Sequence, residues 1–486
     1  MINPMDIKVN VKPVFSNRVH SGIWEGPCRV GTPEELDPVN EAKIGREQFK
    51  IWSRELDNNL NKKYAEILPP VYLEYDESLV VREEQFTKLE SDAHKVDLYL
   101  ITYRVPGIER FGKAISMISH APTPLDLVGF YRDIGLDAYM AHDYEEFNKL
   151  LQYLHVKKAV ANTKILILSA TEQVPATVYT SIPDLTGLAQ RYGVRNNRIS
   201  FRSVFDVMEG MDLSSEMKQE ARELMGAAVK NDIKLEWVQQ DIKFYHAVKQ
   251  LMKKYECNAF TTSCVELCAS QLPMKHHIVP CLTHSLLKDS GFPTSCEEDL
   301  NALMAVMMMM YLTEKVPFMG NPVLVPAGTT SRDEPDSIRQ LSVPSIVFDE
   351  DVLEIHHSVP ATKMDGYDKP AMPFFLGHFT AEGWGTKMQI DMAQHDQKRV
   401  TFGRFNRRGT KMIIATGTIL ASEFREIFCS PAVFYKVDGG VREFRQALAK
   451  GGYGHHLAVV YGDYVKELTE LGEIVGFEVE HFPRYA

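Results

Sequence analysis

Three short stretches carry side chains able to move protons or hold a metal ion. TSCEEDLNALMAV (294–306) sets Glu297, Glu298 and Asp299 in a row directly before a strongly apolar helical segment. DVLEIHHSVP (351–360) carries His356 and His357, and GGYGHHLAVVYGD (451–463) carries His455 and His456 at the mouth of an apolar run. A carboxylate with two imidazoles from separate segments makes a mixed O/N site. That donor set suits Mn²⁺ or a similar divalent ion better than a soft-ligand metal.

Each stretch also has a purely structural reading. Ser295 and Glu298 fit a capping box, and acids at a helix N-terminus are favoured by its dipole. A single histidine is usually a hydrogen-bonded structural residue. Neighbouring side chains on a strand face opposite ways, so at most one of His455 and His456 points at a given site. Both faces of the LAVVY run that follows are apolar, and alternation alone does not choose between them.

Other candidate chemistries fare worse. Cys257, Cys264, Cys268, His276, His277, Cys281 and His284 run through the middle of the chain without a Cys-x-x-Cys pair, which disfavours zinc. TKILILS (163–169) is followed by no Gly-x-Gly-x-x-Gly, and no phosphate-binding Gly-x-x-x-x-Gly-Lys-Ser/Thr loop occurs. Arg404, Arg407 and Arg408 in TFGRFNRRGTK (401–411) suit recognition of an anionic sugar, or a solvated hairpin tip.

The elements that must position these residues follow from periodicity. IKVNVKPVF (7–15) and KVDLYLITY (95–103) read as strands, and YEEFNKLLQYLHVKKAV (144–160) as a helix. TKILILS is the continuous apolar run of a parallel strand covered on both faces. DIKFYHAVKQLMKKYE (241–256) and LNALMAVMMMMYLTEK (300–315) read as further helices. Beyond about Pro326 the character changes to short strands such as RVTFGRF, KMIIATGTIL and FYKVDG, separated by turn residues. The expectation is an α/β protein of two doubly wound parallel-sheet domains, residues 1–161 and 162–326, followed by a mainly antiparallel β domain, 327–486. The acids then fall in the middle domain and the histidines in the last.

Composition bounds the partners. Of 486 residues, 44% are apolar and 24% charged, which is ordinary for a globular protein. The net charge of −11 argues against non-specific binding to nucleic acid or an anionic membrane. The longest apolar run, LMAVMMMMYL (303–312), is too short to span a bilayer. MINPMDIKVNVKPVF lacks a signal-peptide pattern, and seven scattered cysteines suggest free thiols in a reducing compartment, so a cytoplasmic protein is expected.

Taken together, these segments resemble the L-fucose/L-arabinose isomerase family, metal-dependent aldose–ketose isomerases with two α/β domains and a β-rich C-terminal domain. Glu297-Glu298-Asp299 is similar to the family's Glu-x-Asp opening a helix, which implies Glu297 as catalytic, metal-binding glutamate. VPFMGNPV (316–323) is similar to the stretch bearing a second acid, but Gly320 or Asn321 stands in its place. VLEIHHSVP resembles a ligand-bearing segment and implies His356. Gly454-His455-His456 resembles the Gly-x-His-His of arabinose members and implies His456. KVNVKPVFSNRVHSG (8–22) is similar to a first strand and loop whose arginine, here Arg18, contacts substrate, often from a neighbouring subunit. Trp24, Glu266 and His455 complete the expected substrate side. The resemblance also implies a trimer or hexamer of this chain.

The implied reaction interconverts an aldose and a ketose, of pentose or 6-deoxyhexose type, through an enediolate. A carboxylate within hydrogen-bond reach carries the proton between neighbouring carbons, and a divalent ion stabilises the charge on the two oxygens. Asn321 can bind a cation through its amide oxygen but cannot act as a base. Its proton then needs another carrier, such as Asp299, Glu266 or water. The alternative is a homologue that binds sugars without turning them over.

Overall fold

The computed structural model describes residues 2–484 apart from 28, 79, 80, 82, 170–174, 176 and 330–345. The chain forms two compact units. One is Ile7–Lys158, and the other joins Met1–Asp6 to Ala159–Ala486.

The first unit is built on a parallel sheet of β1 (Val9–Arg18), β2 (Ala65–Ile67), β3 (Val71–Tyr75), β4 (Leu98–Ile101), β5 (Ala114–Ile118) and β6 (Ala138–Ala141). Its order is β2-β1-β4-β5-β6, and β3 continues along the edge of β1 beyond β2. LYLI of β4 is buried at every position, as a central parallel strand requires.

The second unit contains two sheets that matter for the site. β7 (Lys164–Leu168), β8 (Arg195–Ile199), β10 (Ala259–Thr262) and β11 (Thr294–Cys296) form a parallel sheet in the order β11-β10-β7-β8. Between them in sequence, β9 (Lys230–Asp232) joins a small separate sheet with β14 (Phe375–His378) and β15 (Thr386–Gln389). The second large sheet is antiparallel. β12 (Phe318–Val325), β13 (Val352–His356), β16 (Arg399–Phe405), β17 (Lys411–Glu423), β18 (Ala432–Val437) and β19 (Leu457–Tyr461) run in the order β16-β19-β12-β13-β18-β17. Pairing of β16 with β17 closes this ring into a barrel, which removes free edges. β20 (Glu478–Phe482) adds in parallel alongside β17.

The chain is therefore a mixed α/β protein with parallel sheets and a β-rich C-terminal region containing a closed barrel. One boundary differs from the sequence expectation: β12, placed before residue 327 in the middle domain, is a barrel strand paired with β13 and β19. Its burial is complete over Phe318–Gly320 and interrupted from Asn321 onward, so it is not a strand covered on both faces throughout.

The helix Leu300–Thr313 links the two sheets. It packs against β11 at its start and against β16 and β19 of the barrel, and every residue from Leu300 to Leu312 is buried. A helix apolar on all sides must be enclosed, and its run of four methionines fills an irregular interface with flexible side chains. The acids preceding it are thereby fixed where the parallel sheet meets the barrel. Among the described residues, no helix is long and apolar enough to cross a membrane.

Candidate metal centre

β11 ends at Cys296, and the next two residues leave it in left-handed conformation, Glu297 at φ 58° and Glu298 at φ 53°. Such backbone costs roughly 1–2 kcal/mol per non-glycine residue, so the surroundings must hold it. The N–H of Glu298 donates to the carbonyl of Thr262 at 2.9 Å, and Ser181 Oγ donates to the carbonyl of Glu298 at 2.7 Å. The turn sends the three acids in three directions. Glu298 is buried against Arg198, with Oε1 2.5 Å from a guanidinium nitrogen. Asp299 is the N-cap of the enclosed helix, its Oδ1 accepting from the N–H of Ala302 at 2.9 Å. Glu297 points toward His357 and His456 of the barrel.

There it meets two imidazoles. His357 Nε2 lies 3.4 Å and His456 Nε2 3.5 Å from Glu297 Oε1. The three ligand atoms all fall within 4.8 Å of one another, and no other group of three acid, histidine or cysteine side chains does so among the described residues. The side chain of Glu297 is 14% exposed, against 2% for His357 and 0% for His456, so the carboxylate is the open side of the cluster. Both Nε2 atoms are buried without a hydrogen-bond partner. Orphaned nitrogens of this kind are costly unless something completes them. Two imidazoles and a carboxylate fit a divalent cation with open coordination positions.

His456 reaches the centre through a strained turn. It precedes β19 with φ 67°, after Gly454 at φ 82°. A side chain at Gly454 would collide with Thr180 Oγ1, so glycine is needed there for space as well as for φ. The ring's Nδ1 is 2.9 Å from Asp299 Oδ2. This carboxylate–histidine arrangement fixes a ligand's orientation and leaves its far nitrogen for the ion. Arg404 Nη1 donates to the same Oδ2 at 2.7 Å.

Electrostatics follow the geometry. Burial opposes ionisation of Glu297, but the facing His456 and His357 rings outweigh it and hold the carboxyl well below its usual range. Burial also disfavours charge on His456, yet the Glu297 and Asp299 carboxylates raise it to about 9. Asp299, despite complete burial, is held at about 2 by Arg404 and His456. Burial dominates for His357 and lowers it.

The placement of the expected residues is mixed. Glu297 and His456 are brought together. His356 is not in the cluster: it shares a face of β13 with Glu354, its Nδ1 2.8 Å from Glu354 Oε1, and Glu354 is bound in turn by Arg425. Strand alternation then gives the opposite face to His357, in series with the core residues Leu353 and Ile355. Asp299 stands behind His456 with both oxygens engaged, so it positions a ligand instead of carrying a substrate proton. Asn321 is the cross-strand partner of His356, on that residue's face of the barrel wall. His455 is half-buried beside the His456 ring, and burial lowers it to about 4.

Glu266 lies on the short helix Cys264–Ala269 after β10; burial raises Glu298, and the charge of Glu266 adds a smaller push in the same direction. Arg18 ends β1 and Trp24 lies in the loop after it, both in the N-terminal unit and 42% exposure for Trp24. Arg404 is not in a hairpin tip. It is fully buried and bound to Asp299, which removes it from any anion-binding role, while Arg407 and Arg408 do lie exposed in the turn. The histidines and cysteines of the middle segment form no metal group among the described residues. Cys264 and Cys296 pack instead with Ala302, Met319 and Val359.

Sequence reasoning chose His356 over His357, gave Arg404 a different role, and missed the Arg198–Glu298 pair. A signal for the first was present: Glu354 two residues before His356 on a strand offers that histidine a same-face partner. No protein-family model matches the chain, and a search of curated proteins finds no match.

Proposed function

We propose that the protein is a metal-dependent ketol isomerase that interconverts an aldose and a ketose, of pentose or 6-deoxyhexose type. The observation that carries this reading is the convergence of Glu297 Oε1 with the unpartnered Nε2 atoms of His357 and His456. The likeness of the acid and Gly-x-His-His motifs to fucose and arabinose isomerases supports it. The cation is assigned as Mn²⁺ on the same grounds, held by Glu297, His357 and His456.

When bound, a divalent cation supplies electrostatic stabilisation of the adjacent oxygens of an enediolate. The chain's own residues do the rest. Glu297 is the one carboxylate at the open side of the cluster, and it takes the C2 proton of the aldose and returns it to C1. His357 and His456 fix its position from the buried side. Asp299 keeps the Nδ1–H of His456 engaged, so that the ring presents Nε2. With both oxygens of Asp299 occupied, the hydroxyl proton passes through Glu266 or solvent. His455 is assigned to the substrate side, Arg18 and the nearby Trp24 to the substrate side of a neighbouring subunit, and a homo-oligomer is part of the proposal.

The test is a screen of aldopentoses and 6-deoxyhexoses in D₂O, read by NMR, with chelated and Mn²⁺-reloaded protein. The reading predicts ketose formation with solvent deuterium in the product, abolished by EDTA and restored by Mn²⁺. Turnover indifferent to chelation would sink it. Tight sugar binding with no exchange at C2 would favour a sugar-binding protein instead.

A further inference from the structure

Arg404 is among the largest fully buried side chains among the described residues, and its position is not explained by packing alone. A guanidinium cannot shed its charge, and an isolated buried ion is very costly. All three of its nitrogens donate, through four of the five N–H groups. Nη1 donates to Asp299 Oδ2 at 2.7 Å and to the carbonyl of His456 at 2.8 Å. Nη2 donates to Thr180 Oγ1 at 3.1 Å, and Nε donates to the carbonyl of Tyr453.

Two of these acceptors are backbone carbonyls that bracket the turn from Tyr453 to His456. That turn contains Gly454 and the left-handed His456, so it is strained, as is the backbone at Glu297 and Glu298. A third acceptor is the oxygen that also holds the His456 ring. One side chain therefore grips the backbone of His456 and the carboxylate behind its ring.

We infer that Arg404 is the positioning residue of the centre, setting the aim of the His456 ring by clamping both its turn and Asp299. This rests on the reading of Glu297, His357 and His456 as a cation site. A lysine could keep the charge but could not span four acceptors with a planar fork. The ring then loses its fixed direction even where the fold survives. Replacing a group behind a ligand commonly costs about 10–100-fold in metal affinity.

The experiment is Mn²⁺ titration of metal-stripped wild type, Arg404→Lys and Arg404→Ala, followed by EPR, with circular dichroism to confirm the fold. We expect tight binding by the wild type, about tenfold weaker binding by Arg404→Lys, and partial recovery of Arg404→Ala by methylguanidinium. The nitrogen couplings to Mn²⁺ should fall from two to one as His456 disengages. A wild type that binds no Mn²⁺ defeats the cation reading itself. A wild type that binds, with Arg404→Lys binding equally well, overturns the role of Arg404. So does loss of fold in both variants, which would make the arginine purely structural. If only Arg404→Ala fails to fold, Arg404→Lys decides.

Discussion

The two histidine pairs reach the same centre by different means. In His356–His357 the choice is made by strand alternation: Glu354 and Arg425 claim one face of β13, and His357 inherits the other. In His455–His456 it is made by a left-handed turn, held by Arg404 and ending on Asp299. Their support differs too. His456 has a carboxylate at Nδ1. His357 Nδ1 accepts the N–H of Ser358 at 3.1 Å, so binding a cation at Nε2 also requires Nδ1 to change from acceptor to donor. Register places a ring without strain; an ion-paired turn also sets its protonation.

The largest effect should come from the residue both pairs face. Glu297→Gln keeps the shape but loses the base, and should lower isomerisation by about 10²–10⁴-fold, measured as kcat with saturating Mn²⁺. Residual turnover within tenfold of wild type would move the base elsewhere.

Next come the histidines themselves. His456→Ala should weaken Mn²⁺ binding by roughly 100-fold and His357→Ala by somewhat less, whereas His356→Ala and His455→Ala should leave it within about threefold, by calorimetric titration. His356→Ala should instead lower stability by about 1–3 kcal/mol, because Glu354 loses a buried partner, read from denaturant unfolding. Equal losses of metal affinity within either pair would erase the contrast.

The braces differ as well, and pH separates them. Arg404 is paired with an anion, but Lys288, behind the His357 segment, is fully buried and donates to the carbonyl of Val359. Burial lowers it from 10.5 to about 7. Between those values the unfolded chain holds a proton that the folded chain has released. The contribution of Lys288 to stability therefore rises with pH from about 7 toward 10.5, by on the order of 5 kcal/mol. Lys288→Met should flatten that rise in unfolding free energy; an unchanged pH profile would contradict it.

The smallest effect is expected at Asn321. Because it lies on the His356 face of the barrel wall, Asn321→Asp should change Mn²⁺ affinity less than about threefold. A large gain in affinity or turnover would restore this position to the centre.

How much of this was legible in the sequence depended on the range of the interactions. TKILILS and the all-apolar helix 300–315 announced a covered parallel strand and an enclosed helix, because burial on all sides writes continuous apolar runs. The acids before that helix were visible, but the capping box expected of Ser295 and Glu298 does not form: Ser295 lies within β11, and Asp299 is the N-cap. That one acid of the three escapes the cap depends on left-handed backbone at Glu297 and Glu298, which no local preference foretells. The choice of His357 over His356 needed the Glu354–Arg425 pair, separated by 71 positions in the chain. β12 was assigned to the wrong region because its partners, β13 and β19, lie downstream in the sequence.

Pulsed EPR of Mn²⁺-loaded protein, with each histidine labelled or replaced in turn, tests the centre most directly. The account predicts one bound ion per chain coupled to two imidazole nitrogens, one lost in His357→Ala and one in His456→Ala, neither in His356→Ala. Loss of a coupling in His356→Ala with none lost in His357→Ala would contradict it.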